Sequence, residues 1–150
     1  MAEEKSTYEV EELLSNMKPA ELGSFYKENK SSMVDDKKAF YYYMKDIAES
    51  KNIMFKEMYL FAGVSESYGA KIIRMEKHTK NRDLIIRLCI AGHFSLVEIN
   101  KALKLYGMNP LYSKDKRDAC LIVAVNNRIY DLYEIDNILE KQGLQILTTE

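Results

Sequence analysis

The chain has little proline, little cysteine, no long apolar run and no excess of either charge. Each shortage excludes something. Pro19 and Pro110 are its two prolines, so the 90 residues between them lack the residue that most often breaks a helix. Cys89 and Cys120, without an apolar leader in Met1-Ala2-Glu3-Glu4-Lys5, read as free thiols of a cytoplasmic protein. The longest apolar run, Ala119 to Val125, is seven residues. That is far short of the roughly 20 needed to span a bilayer, so no membrane role is expected. With 22 basic and 23 acidic side chains the net charge is −1, which argues against indiscriminate coating of nucleic acid. A local basic face is still compatible with that balance.

Catalytic patterns are also missing. No Ser-His-Asp or Cys-His order is evident, no GxxxxGK[ST] phosphate loop occurs, and no carboxylate pair stands out. Asp35-Asp36 falls in a polar linker and reads as solvated. Cys89 and His93, four apart, could share a helical face, but a zinc site needs about four ligands at characteristic spacing. The expectation is a protein that is not an enzyme and has no cofactor and no metal.

What is present is helical. The chain is 47% hydrophobic and 30% charged, enough to bury a core and stay soluble. Apolar residues recur mostly at three and four, predicting seven to eight short helices. Three regions follow: an acidic helical arm and linker over 1–38, a core over 39–111, and a helix pair over 112–150. The arm carries 6 basic and 9 acidic residues. It opens with Ser6 and Glu9 at capping-box spacing, then a stripe of Val10, Leu13, Leu14 and Met17. Pro19 suits the first position of a second helix bearing Leu22, Phe25 and Tyr26. Residues 31–38 lack a stripe and read as linker. In the core, helices are expected over Ala39–Ser50 (Phe40, Tyr43, Met44 and Ile47 inward), Phe55–Ala62, Glu66 to about Lys77, and Arg82–Ala91. Gly63-Val64-Ser65 makes a turn, with Ser65 as a cap.

An internal repeat organises the remainder. Residues 94–111 align without a gap onto 130–147, an offset of 36. Arg82-Asp83 and an apolar stretch precede the first copy; Arg117-Asp118 and another precede the second. Each unit is then an apolar helix, a capped helix and a glycine stop. The caps are Ser95 with Glu98 and Asp131 with Glu134, and the stops are Gly107 and Gly143. Composition alone would make Ala119–Val125 a buried strand. Its equivalence to Leu84–Ile90 predicts a helix instead, with the second pair docked on the first.

The order of helices over 39 to about 107 resembles lambda-repressor-like helix-turn-helix domains of the XRE/Cro type. The resemblance rests on Met58-Tyr-Leu-Phe-Ala-Gly63-Val64-Ser65, then Ser67-Tyr-Gly-Ala-Lys-Ile72, then two more helices. Tyr59 stands where that family prefers a small Ala, and Gly69 where it usually has an apolar residue. The fold class expected is all-α, with a helix-turn-helix core, flanking helices and a repeated C-terminal pair. The resemblance implies a transcriptional regulator whose third core helix enters the major groove of double-stranded DNA, commonly as a two-fold homodimer.

If that helix packs through Val64, Tyr68, Ile72 and Met75, it exposes Glu66, Ser67, Ala70, Lys71 and Arg74. From Lys71 to Arg82 there are five basic residues and one acid, Glu76. The expected DNA-binding set is Ser65, Ser67, Lys71, Arg74, Lys77, His78, Lys80 and Arg82. Ser67 and Lys71 would read base edges, and the loop would meet phosphates. A protein-binding adaptor on the same scaffold is the alternative. Tyr41-Tyr42-Tyr43 cannot all face one core, because consecutive helical side chains point about 100° apart. Tyr41 and Tyr42 are therefore candidate interface residues.

Overall fold

The computed structural model describes residues 5–29 and 38–148. Met1–Glu4, most of the expected linker with Asp35-Asp36, and the last two residues lie outside the described residues. The described residues are helical, with no strand among them. They fall into two compact units, 5–29 and 38–148.

The first unit holds α1 (Thr7–Ser15), a 3-10 turn (Pro19–Glu21) and α2 (Leu22–Glu28). Ser6 caps α1, its hydroxyl accepting from the Glu9 amide at 3.2 Å. Pro19 opens the 3-10 turn rather than an α-helix, and α2 follows it directly. Lys5 donates to the Asn29 side chain, joining the two ends of this unit. No residue of α1 is buried.

The second unit contains α3 (Ala39–Ser50), α4 (Phe55–Ala62), α5 (Glu66–Ile73), α6 (Arg82–Ala91), α7 (Leu96–Leu105), α8 (Lys116–Asn126) and α9 (Leu132–Lys141). Helix α6 is central, buried from Leu84 to Ala91, and α4, α7 and α9 pack on it. Helix α3 lies on α7, with Phe40, Met44 and Ala48 inward; Tyr43 and Ile47 are half-buried. The Lys51–Glu98 ion pair, 2.9 Å, ties the end of α3 to the start of α7.

The stretch Ala119–Val125 is helical, as the repeat predicts. The repeat is also visible in individual hydrogen bonds. Asn100 accepts from the Leu111 amide at 2.9 Å, and Asp136 accepts from the Leu147 amide at 2.7 Å. Both glycine stops are left-handed, with φ of 84° at Gly107 and 71° at Gly143. Two details differ from expectation. Asp131 accepts from the Tyr133 amide at 2.9 Å instead of pairing with Glu134 in a box, whereas Ser95 and Glu98 do form one. The pairing of Phe94 with Tyr130 also shifts. His93 and Arg128 take the same left-handed turn (φ 60° and 58°). The amides of Phe94 and Ile129 then bond back to Cys89 and Ala124 at 3.0 Å each. Phe94 therefore corresponds to Ile129, and Tyr130 is one extra residue. Its ring stacks on His93, centroids 4.2 Å apart.

The two pairs are locked by exchanged ion pairs. Arg82 of the first grips Asp118 of the second through two hydrogen bonds of 3.0 and 2.9 Å. Arg117 of the second grips Asp83 of the first at 2.8 and 2.9 Å. Each arginine also donates to two carbonyls beyond its own repeat's glycine stop. Arg82 reaches those of Asn109 and Pro110, and Arg117 those of Gln145 and Ile146. Contacts of residue i with j and of j with i mark a local two-fold relation.

Burial alone would raise the Asp118 carboxyl, but the Arg82 hydrogen bonds and the Tyr112 amide bring it below its ordinary value. A carboxylate held low stabilises the fold above its unfolded pKa and loses that contribution as pH falls through the folded one. Asp118→Ala leaves Arg82 without its carboxylate and should cost about 2–3 kcal/mol in urea unfolding at neutral pH. The same variant should lose less of its remaining stability than the parent between pH 5 and pH 2.

Candidate nucleic-acid interface

Helices α4 and α5 meet through a tight turn. Gly63 takes φ 72°, the left-handed conformation that stops α4, and its lack of a Cβ makes that cheap. Ser65 then opens α5, its hydroxyl accepting from the Tyr68 amide at 3.2 Å. Helix α5 ends at Ile73, four residues short of the expected Lys77. The physical reason is local: Met75 turns left-handed at φ 62°. The amides of Glu76 and Lys77 then fold back onto the Lys71 carbonyl at 2.9 and 3.1 Å.

The buried face of α5 is Gly69, Ile72 and Ile73, with Val64, Tyr68, Ala70 and Met75 half-buried. This differs slightly from the expected face, and the cause is a size exchange with α4. Tyr59 is buried and its ring lies over Gly69. A Cβ at Gly69 would meet Tyr59 Cδ1 at 2.5 Å. The large residue on α4 thus occupies the space left by the missing side chain on α5. The large Tyr59 and the missing side chain of Gly69 compensate each other.

On the outer side, Ser67, Lys71 and Arg74 form an exposed stripe at helical spacing, with Glu66 beside it. Arg74 acts electrostatically on the Tyr59 hydroxyl; burial raises that hydroxyl's pKa and the Arg74 cation opposes the rise. Beyond α5 the chain is fastened to α7. Thr79 is buried, and its amide donates to the Tyr106 hydroxyl at 2.9 Å. The His78 ring stacks on Tyr106, 4.7 Å between centroids and 8° from parallel. Lys77 lies over the Tyr68 ring at 5.3 Å, and Lys80 is exposed on the other side of Thr79. The cations are thus displayed on a pinned loop.

Not all the expected residues join this surface. Ser65 is exposed at the start of α5, where its hydroxyl accepts the cap bond from the Tyr68 amide. Arg82 is half-buried, with its donors taken by Asp118 and the two carbonyls of the interrepeat clamp. Tyr41 and Tyr42 are half-buried, edge-on to each other at 5.3 Å, and Tyr41 also neighbours Phe55. Among the described residues no group of three or more His, Cys, Asp and Glu is placed to hold a metal ion. Cys89 is fully buried, and burial raises its thiol pKa far above the ordinary value. No described helix is long and apolar enough to cross a membrane.

No family model, curated protein or solved structure matches this chain. The reading of the site therefore stands on its geometry.

Sequence reasoning missed Leu60 and Phe61, which α4 leaves 73% and 64% exposed. The stripe of Met58, Tyr59 and Ala62 held the signal: once these face inward, 60 and 61 must point away.

The Tyr59–Gly69 contact gives a sharp expectation. Gly→Ala within a helix normally gains about 1 kcal/mol. Here Gly69→Ala should destabilise by about 1–3 kcal/mol, because the added methyl meets a packed ring. Adding Tyr59→Ala should make the Gly69→Ala substitution neutral or favourable, as a double-mutant cycle by thermal unfolding would reveal.

Proposed function

We propose that this chain is a DNA-binding transcription regulator of helix-turn-helix type, related in design to the XRE/Cro domains, with α5 as its groove-reading helix. The observation that carries the reading is the Gly63 turn into a Ser65-capped helix whose exposed stripe is Ser67, Lys71 and Arg74. Ser67 and Lys71 read base edges; Arg74 reads a base or fixes a phosphate. Lys77 and Lys80, held around the anchored Thr79, contact the backbone. His78 supports them from its stack on Tyr106. Phosphate contacts set register while the helix supplies selectivity.

Selection from random duplexes should return an enriched site, with affinity falling steeply as salt rises. Lys71→Ala or Arg74→Ala should cost about 1–3 kcal/mol and relax preference at one base position. Lys77→Ala and Lys80→Ala should weaken all sequences alike and each flatten the log–log salt slope by about one unit.

A second reading, a protein adaptor on the same scaffold, is favoured by one feature: the exposed Leu60 and Phe61 on α4. No enriched sequence, and no complex even at low salt, would transfer the lead to it. Capture of a protein partner that depends on Phe61, Tyr41 or Tyr42 would then be the next measurement.

A further inference from the structure

Within residues 38–148, the link inside the second helix pair is one residue longer than the link inside the first. Ile129 takes the place of Phe94, and Tyr130 stands next to it with no counterpart. The Tyr130 ring, stacked on His93, lines a cavity of about 460 Å³. Phe61 of α4 and Tyr133 of α9 line the same cavity. Phe61 is 64% exposed and Tyr133 79%. Rings from α4, the α6–α7 turn, the α8–α9 link and α9 therefore converge on one small space, and two of them keep most of their surface uncovered. That volume falls in the range of small-ligand sites, about 300–1,000 Å³.

The charges select the guest. With His93 neutral, Asp131 carries the one formal charge of the lining. One of its oxygens accepts from the Tyr133 amide at 2.9 Å and so caps α9; the other has no partner among the described residues. Lys51 and Arg128 line a neighbouring cavity that shares His93 and Tyr130 with this one. Helix α6 ends at Ala91 in the lining, and the C-terminal end of a helix bears partial negative charge. The face of an aromatic ring is negative as well and attracts a cation, more strongly where water is excluded. An anion would meet the Asp131 carboxylate, and a neutral apolar guest would leave it unused.

We infer that this cavity binds an organic cation, an alkylated ammonium group whose carbons rest on Phe61, Tyr130 and Tyr133 while Asp131 offsets its charge. The site is separate from α5 and independent of whether α5 reads DNA. The same group occurs on free small molecules and on methylated lysine side chains.

The test is titration of the full chain with choline at pH 8, followed by proton NMR. The expected result is a saturable upfield shift of the N-methyl protons, caused by the surrounding rings. Phe61→Ala and Tyr133→Ala should each weaken binding about tenfold. Both side chains are largely exposed, so these variants should keep the parent's helix content and cooperative unfolding. Asp131→Asn keeps a good capping residue and removes the charge. It should weaken choline about fivefold and leave 3,3-dimethylbutanol, the uncharged isostere, unaffected. A peptide bearing trimethyllysine, compared with choline, tells a modified side chain from a free small molecule by which binds more tightly. No saturable shift with either cation overturns the inference. So does equal affinity for 3,3-dimethylbutanol, which would make the cavity a plain apolar slot. Choline binding that survives both Phe61→Ala and Asp131→Asn unchanged would place the cation elsewhere and overturn it as well.

Discussion

A guanidinium is a flat fork with five donors and no acceptor, and hiding it among packed helices is costly unless nearly every donor finds an oxygen. Arg82 and Arg117 satisfy that demand in the same way. Each makes two bonds to a carboxylate on the other repeat and two to carbonyls of its own. One side chain therefore fixes three things at once: the start of its helix, the strand of coil beyond the glycine stop, and the docking of the neighbouring pair. Lysine could not substitute, because a point charge cannot present two parallel bonds to a carboxylate.

That clamp reaches the basic edge. Arg82 is the last cation of the run from Lys71, and its fixed position sets where the preceding loop must arrive. Tyr106 fixes the loop's middle through Thr79 and His78. Lys80 lies between these two points and Lys77 directly precedes them, so both sit on backbone that is fixed close by. Any partner they meet finds them already arranged, so less ordering entropy opposes the encounter.

Much of this was legible in the sequence. Ala119–Val125 has strand-like composition, yet its equivalence to Leu84–Ile90 gives the helix that forms. The ends of α3, α4 and α6 follow from caps, glycines and apolar spacing. The end of α5 does not, because Met75 adopts a left-handed turn that no local preference of methionine announces. The Arg-Asp dipeptides were visible as markers of the repeat; their exchange across it was not, since pairing partners lie more than 30 residues apart. Tyr59 and Gly69 each look out of place alone. Only packing shows that one fills the space the other vacates. At the candidate site the exposed stripe on α5 was legible from helical geometry, whereas the diversion of Arg82 into the clamp depended on a tertiary partner.

Helical repeats that stack by translation leave a free edge at each end, so copies can be added without limit of principle. The exchange between Arg82–Asp118 and Arg117–Asp83 works differently. Each unit carries one fork and one carboxylate, and a single neighbour consumes both. A third unit inserted into the chain would find no unspent arginine or aspartate at this seam. Two is therefore the natural count for this motif: a duplication of this kind closes on itself, and the gene that made it could lengthen the array only by first breaking the lock.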